Sequence, residues 1–265
     1  MGIRTHRARV IFKVMLISVG AYFTVSYLVL PFTWSHYEHH QKMQGAPKTT
    51  HSAQGIPGDP LNVALVGDES DVVAAMVSSG WVPADPVTFK SSARIVESVL
   101  AKRPYPNAPV SDLFLWNRRE DLAFEKPFGP SAKERHHVRF WKSHELSQGG
   151  LLWVGAATFD RSVGVSHRTG QITHHIAPDI DAERNKLIED LKEAAKLEKI
   201  YQVTGIGPTL FGKNANGDAY FSDGELTVGV MTKAGSQTSE VPFFLENPDR
   251  IQWKRRVWNW ICKVL

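Results

Sequence analysis

The stretch LLWVGAATFDRSVGVSHRTGQITHHI, residues 151–176, predicts the centre of the fold. Its first part, residues 151–166, is rich in Val, Leu, Phe and Trp and predicts a long strand. HRTG at 167–170 is typical of a turn, and QITHHI at 171–176 predicts the returning strand. Residues 181–198 carry apolar side chains at helical spacing. The sequence therefore predicts a hairpin followed closely by an amphipathic helix.

The segments on either side of this hairpin have strand and helix patterns of their own. Residues 60–67 predict a buried strand, and residues 68–81 and 92–102 predict helices. The remaining predicted strands are 111–118, 120–126, 136–143, 199–206 and 219–232. Because strands cluster in the middle with helices at both ends of the cluster, we expect an α+β fold with a mixed, largely antiparallel sheet packed with helices.

Residues 10–32 form an apolar run long enough to cross the roughly 30 Å hydrocarbon core of a membrane as a helix. Three arginines precede this run and only two lysines follow it closely, so the positive-inside bias predicts a cytoplasmic N-terminus. These basic residues are Arg4, Arg7 and Arg9 before the run and Lys42 and Lys48 after it. A cleaved signal peptide is the alternative, but its apolar region is usually about 7–15 residues long.

Composition divides the chain into four parts. Residues 1–33 form a basic N-terminus with the membrane helix, and residues 34–59 lack apolar periodicity and predict a linker. Residues 60–235 form the expected globular domain, and residues 236–265 form a basic, aromatic tail. In a helix the tail places Val257, Trp258, Ile261, Val264 and Leu265 on one face. That face predicts either a membrane-surface helix or a helix docked on the domain.

The composition excludes several classes of protein. The formal net charge is +4, and the basic residues crowd the two ends of the chain without any RNA-recognition, zinc-finger or basic-helix pattern. We therefore expect no nucleic acid partner. The single cysteine, Cys262, excludes an intramolecular disulfide and a CxxC metal site.

Two histidine pairs on predicted strands are the first candidates for chemistry. Neighbouring residues on a strand point to opposite faces, so each pair offers at most one histidine to a shared site. In the first pair, His137 shares its face with Arg139 and Trp141, and His136 shares the other face with Val138 and Phe140. In the second pair, His174 and His175 divide in the same way.

Three interpretations of these histidines compete. In the first, His137, His175, Asp179 and Asp181 bind a divalent metal such as zinc, whose shells combine imidazole and carboxylate. In the second, a histidine acts with arginines and an acid on a phosphate ester; its candidate catalytic residues are His137, Arg139, His174, His175, Asp160 and Arg161. In the third, the histidines fill a half-buried sheet, while Asp179, Asp181 and Glu183 cap the following helix.

Six segments together resemble the LssY C-terminal domain family over about residues 60–230. They are PLNVALVGDESDVVAAMVSSGWVPADP, APVSDLFLWNRREDLAFEK, RHHVRFW, LLWVGAATFDRSVG, THHIAPDIDAERNKLIEDL and GDAYFSDGELTV. The resemblance implies a bacterial envelope protein with membrane lipid or an envelope protein as its partner. We therefore expect a single-pass inner-membrane protein whose main domain is periplasmic. The resemblance implies no catalytic mechanism, and the phosphatase-like membrane region fused to this domain in longer family members is absent here.

Overall fold

The computed structural model of the protein describes residues 2–29, 47–84, 112–129, 133–147, 150–168, 170, 172–204, 211–236, 238, 240–247, 249, 251–253, 256–257 and 260. The predicted helix at 92–102 and residues 34–46 of the predicted linker lie outside these ranges. Of the apolar face expected in the C-terminal tail, only Val257 is described.

The first helix, α1 (Gly2–Thr24), continues directly into a π-helical segment at Val25–Val29. Within it, Arg9–Val29 spans 21 residues with a mean hydropathy of 1.6, and none of this span is buried. At 1.5 Å per residue the span is about 31 Å long, which matches the hydrocarbon thickness of a bilayer. The helix is therefore long and apolar enough to cross a membrane.

The domain contains the helices α2 (Glu69–Ser78) and α3 (Ile180–Glu193). Its strands are β1 (Thr49–His51), β2 (Pro57–Pro60), β3 (Val63–Val66), β4 (Val82–Pro83), β5 (Phe114–Leu115), β6 (Arg118–Arg119), β7 (Leu122–Pro127), β8 (Arg135–Ser147), β9 (Gly150–Val165), β10 (Ile172–Ile176), β11 (Leu197–Thr204), β12 (Phe211–Lys213), β13 (Ala219–Phe221), β14 (Glu225–Met231) and β15 (Phe243–Leu245).

Nine of these strands form one mixed sheet in the order β15-β11-β14-β3-β9-β8-β7-β4, with β10 paired to β9. The β14–β3 and β11–β15 pairs are parallel, and the other pairs in this sheet are antiparallel. A smaller sheet has the order β2-β1-β5-β6, and β12 pairs with β13. The predicted α+β class with a mixed, mostly antiparallel sheet is confirmed.

Strand β9 organises the large sheet because it pairs with three others. Its first half pairs with β3, its second half pairs with β10, and β8 lies along its other edge. The hairpin predicted from residues 151–176 is therefore the β9–β10 pair, and β9 is the strand that joins both sides of the sheet.

Each face of the large sheet carries its own hydrophobic core. On one face α2 and α3 pack against side chains such as Leu65, Phe140 and Trp153. On the other face Trp141 and Val154 pack against Leu113 and Leu115, which belong to the chain around the small sheet. The domain thus has three layers, with the large sheet between the helices and the small sheet.

Gly155 allows close approach of two core side chains in the middle of β9. A Cβ atom at this position would lie 2.7 Å from the Phe140 ring and 3.0 Å from Val63 Cγ1. Since Phe140 is the residue directly opposite Gly155 on β8, its ring occupies the space that a side chain at 155 would need.

Several boundaries differ from the sequence prediction; the predicted strands at 111–118 and 219–232, for example, are each divided into two, β5 with β6 and β13 with β14. The predicted linker contains β1 and most of β2, so its C-terminal part belongs to the domain. Residues 60–67 do not form one strand: β2 ends at Pro60 and β3 begins at Val63, directly after Asn62, whose side-chain amide donates to the carbonyls of Ala157 and Ile180. The helix predicted at 181–198 ends at Glu193, and Ala195 has a positive φ of 54° before β11 begins.

We expect Gly155→Ala to lower the free energy of unfolding by about 1–3 kcal/mol, because the added methyl group collides with the Phe140 ring. Phe140→Leu alone also destabilises, but it leaves space beside position 155. The fall in the free energy of unfolding of the double variant should therefore be at least about 0.5 kcal/mol smaller than the sum of the falls in the two single variants. Denaturant titration of the full chain in detergent measures all three variants, and strictly additive losses would contradict the packing described.

Candidate functional site

Alternation along β8 brings three cationic side chains to one face of the sheet. Arg135, His137 and Arg139 are each buried, with exposed fractions of 3%, 3% and 4%. The residues between them face the helices: Val138 joins the helix-side core, and His136 bonds Glu183 through Nδ1 at 2.7 Å. The predicted division of the His136–His137 pair between two faces is confirmed.

Acids from three other strands pair with these cations. Arg135 donates from Nε to Asp160 Oδ2 at 2.9 Å and from Nη1 to Glu125 Oε2 at 2.8 Å. Arg139 donates from Nη1 to Asp59 Oδ2 at 3.0 Å. The acids belong to β2, β7 and β9, so the network ties the small sheet to the large one.

His137 lies at the centre of this network. Its Nε2 forms a 2.7 Å hydrogen bond with Thr158 Oγ1 and is 3.8 Å from Asp59 Oδ2. Its Nδ1 is 3.3 Å from Asp160 Oδ2, which is an ion-pair distance, but the two groups are not aligned for a hydrogen bond. The imidazole therefore lies between two carboxylates, and Arg135 and Arg139 are two residues away from it in either direction along β8.

The charges of the network decide its protonation state. Burial alone would lower the pKa of His137, but the charge of Asp160 and the contacts of His137 with Asp160 and Asp59 together outweigh burial and raise that pKa above its usual value. Burial alone would raise the pKa of Asp160, but the charges of His137 and His174 hold it well below the usual range. The pKa of Asp59 is lowered too, since its contact with His137 and the charge of Arg139 outweigh burial. The network thus favours an imidazolium between two carboxylates.

The network forms the floor of a cavity of about 300 Å³. Its charged and imidazole lining includes Asp59, Arg135, His137, Arg139, Asp160 and His174. Neutral polar residues complete it, among them Ser52, Gln54, Asn214 and Asn216. A concave site with converging charged groups of shifted pKa is the usual form of a small-ligand site.

The structure brings together four of the six residues predicted as catalytic candidates, which are His137, Arg139, His174 and Asp160. The other two lie elsewhere. Arg161 is exposed, and His175 bonds Asp218 Oδ1 through Nδ1 at 2.7 Å. His174 lines the cavity while its neighbour His175 does not, so the second histidine pair is also divided between faces.

The four residues predicted as metal ligands are each engaged with a different partner. His137 bonds Thr158 and His175 bonds Asp218. Asp179 caps α3 by accepting from the backbone N–H groups of residues 181 and 182. Asp181 accepts from the Ser222 hydroxyl and the backbone N–H of residue 223. The structure therefore does not gather this set around one ion, and Asp179 has the structural role that the third interpretation gave it.

Asp181 belongs to a separate buried network at the start of α3. Arg184, which has no exposed surface, donates to both carboxylate oxygens of Asp223 at 2.8 and 3.0 Å. Burial and the nearby charge of Asp223 raise the pKa of Asp181 to about 6, against the opposing charge of Arg184. This network fixes α3 to the loop before β14 and does not reach the cavity floor.

Two residues of the cavity floor were not among the candidates predicted from the sequence. Arg135 continues the alternation of His137 and Arg139 by one step, so extending the predicted strand toward its N-terminal side would have included it. Asp59 lies in a segment that was predicted to be a linker, where no local pattern indicates a partner 80 residues away. Only the folded chain brings that carboxylate to the cavity.

Comparison with known proteins gives one match. The family model described as LssY C-terminus matches residues 43–226, which is more than half of the chain. The match begins before β1, in agreement with the ordered strands inside the predicted linker. No curated protein and no solved structure matches the chain.

The shifted pKa values of the cavity floor predict a pH dependence of stability. Because the pKa of His137 is raised in the folded state, the contribution of His137 to folding stability is complete below about pH 6.5. It is lost as the pH rises through the pKa of the folded state. The pKa values of Asp59 and Asp160 are lowered, so their contributions to folding stability are complete above about pH 3.9 and are lost on further acidification. We expect the full chain in detergent to have its highest melting temperature between about pH 4 and 6.5.

The variant His137→Gln tests this assignment. It removes the titrating group but keeps an amide that can bond Thr158, so the fall in melting temperature between pH 6.5 and 9 should become smaller. His6→Gln, at an exposed position of α1, is the matched control and should keep the profile of the unaltered protein. An alkaline fall that is equally steep in His137→Gln would show that another group causes it.

Proposed function

The chain belongs to the LssY C-terminus family, and we propose that this member is a membrane-anchored protein whose cavity binds a phosphate-bearing lipid headgroup. The proposal places α1 in a bacterial inner membrane, the N-terminus in the cytoplasm and the domain in the periplasm. Its support is the apolar span Arg9–Val29 together with the arginines before it. An envelope protein at the same membrane surface is the other partner that this location favours.

The observation that carries the proposal is the set of guanidinium and imidazole donors in the cavity lining. Of the described residues, three cationic side chains (Arg135, His137 and Arg139) and two acids (Asp59 and Asp160) form its floor. A further acid of the lining, Asp112, is bonded by Arg119. With His137 protonated, these three cations outnumber the two acids of the floor, but Glu125, which bonds Arg135 from outside the lining, balances the charge. The guanidinium and imidazole N–H donors that line the cavity, rather than a net charge, favour an anionic ligand.

Phosphate chemistry suits these groups in geometry. A guanidinium has five N–H groups in one plane, so it can bind a carboxylate and a phosphate oxygen at the same time. Two guanidinium groups flank one imidazole at alternate positions of β8, so a single phosphate on the cavity floor would have three donor groups within one row. The volume of about 300 Å³ is at the lower end for ligand pockets and suits a headgroup rather than acyl chains.

Hydrolysis of a phosphate ester is the second candidate function, and the geometry of His137 favours it. The imidazole lies 2.7 Å from the Thr158 hydroxyl and 3.3 Å from Asp160, an arrangement of hydroxyl, imidazole and carboxylate known from covalent catalysis. Thr158 has no exposed surface and is not part of the cavity lining, so a bound ligand does not reach its hydroxyl. Binding without turnover is therefore the better-supported function.

Calorimetric titration of the full chain in detergent tests the proposal, with glycerol 3-phosphate as the ligand and glycerol as the uncharged control. Arg139→Gln removes one guanidinium and should weaken binding by about tenfold to a hundredfold, the value of a charge-assisted hydrogen bond. Because this variant removes the arginine that bonds Asp59, Asp59→Asn combined with Arg139→Gln restores the charge balance. The double variant should still bind weakly.

Arg161→Gln provides the matched control, because Arg161 is an exposed arginine next to Asp160 on β9. It should bind glycerol 3-phosphate as the unaltered protein does. Equal affinity in all four proteins, or no binding by the unaltered protein, would contradict the proposed site. Steady release of inorganic phosphate, lost in His137→Gln and retained in Arg161→Gln, would favour the hydrolase instead.

A further inference from the structure

We infer that His167, His175 and Asp218 form a divalent metal site, with zinc as the metal that suits it best. One ligand atom from each side chain lies within 4.8 Å of the other two. Within the described ranges, no other group of three or more His, Cys, Asp or Glu side chains meets this spacing. The site lies apart from the phosphate cavity, and the inference does not depend on the proposed function.

The carboxylate of Asp218 is fixed before any ion arrives. Its Oδ1 accepts from His175 Nδ1 at 2.7 Å, and its Oδ2 accepts from the backbone N–H of residue 176 at 3.2 Å. The backbone N–H of Asp218 in turn donates to Asn214 Oδ1 at 3.0 Å. Because hydrogen bonds already fix its position, this buried carboxylate loses little conformational entropy when it binds a cation.

The His175 ring occupies space that a glycine leaves open. A Cβ atom at Gly164 would lie 2.7 Å from His175 Nε2, so only glycine at this position of β9 accommodates the ring. This imidazole is half-buried, with a side-chain exposure of 12%. It therefore has a defined orientation toward Asp218 rather than a choice of rotamers.

His167 completes the cluster from the turn between β9 and β10. Its ring centre is 5.3 Å from that of His175, and its backbone N–H donates to the carbonyl of Asn216 at 3.1 Å. Gly217, with φ of 90°, lets the loop pass close by, since a Cβ atom there would lie 3.1 Å from His167 Cβ. Two separate turns thus meet at the cluster.

The ligand types and their spacing fit a zinc ion after a small closure. Zinc bonds of about 2.0–2.1 Å in a tetrahedron place neighbouring ligand atoms about 3.3 Å apart. The 2.7 Å separation of His175 Nδ1 and Asp218 Oδ1 must therefore lengthen, and the longer separations between ligand atoms must shorten. His167 can move because its side chain is exposed. Zinc would take the place of the proton between His175 Nδ1 and Asp218 Oδ1, and the neutral imidazole would then carry its one proton on Nε2. Three protein ligands leave a fourth position for water.

Metal binding at this site would join two segments that are distant in the chain. The loop at residues 214–218 supplies Asp218 to the metal and Asn214 and Asn216 to the cavity lining. The β9–β10 hairpin supplies the two histidines to the metal and His174 to the cavity. An ion would therefore hold the loop against the hairpin and stabilise the folded chain.

Zinc titration of the chelator-stripped full chain in detergent, monitored by competition with a chromophoric zinc chelator, tests the inference. His36, His39 and His40 precede the domain and can bind zinc weakly, so all proteins carry glutamine at these positions. We expect one equivalent to bind and the melting temperature to rise with zinc. His167→Gln and Asp218→Asn should each weaken binding at least tenfold.

The controls separate loss of a ligand from loss of structure. His167→Gln changes an exposed side chain, and Asp218→Asn keeps an oxygen for the N–H of residue 176, so both should fold. His174→Gln changes the neighbour of His175 on the cavity side and should leave zinc affinity unchanged. Absence of stoichiometric binding, or equal affinity in His167→Gln, Asp218→Asn and the unaltered background, would overturn the inference.

Discussion

Charge compensation under the cavity is the constraint on which the domain depends. Arg135 and Arg139 are 3% and 4% exposed, and buried charges are tolerated only when they are paired and hydrogen-bonded. Their partners come from β2, β7 and β9, so pairing the charges also fixes how the small sheet lies on the large one. Removing one partner of a buried pair leaves part of the remaining charge uncompensated, which typically costs about 3–5 kcal/mol. The same arrangement that stabilises the layers therefore gathers cationic groups around a cavity.

Local periodicity predicted those parts of the molecule that depend on neighbouring residues. The β9–β10 hairpin, the helix α3 and the opposite faces of His136 and His137 follow from spacing along one segment, as does the apolar helix α1. Contacts across the fold could not be predicted in this way. Asp59 meets Arg139 across 80 residues, and Asp218 meets His175 across 43. Asp179 was correctly explained as a helix cap, since capping is a local interaction.

The paired histidines of β10 point to two different surroundings. His174 turns to the cavity and His175 to Asp218, and the loop at 214–218 contributes to both sides. A strand with charged or imidazole groups on both faces is unusual, because one face of an edge strand normally packs on a core. Here Ile176 is the described β10 residue that is buried in a hydrophobic cluster. In the two proposals made above, the other polar residues of β10 serve ligand sites rather than packing.

The most direct test of the central claim is nitrogen NMR of the His137 ring in the full chain, assigned with His137→Gln. The account predicts an imidazolium whose midpoint of titration is above the ordinary value of about 6.5. It also predicts that glycerol 3-phosphate, but not glycerol, shifts the ring resonances. A neutral ring at pH 6.5, with resonances that glycerol 3-phosphate leaves unchanged, would contradict both the charge balance of the cavity and its role as a phosphate site.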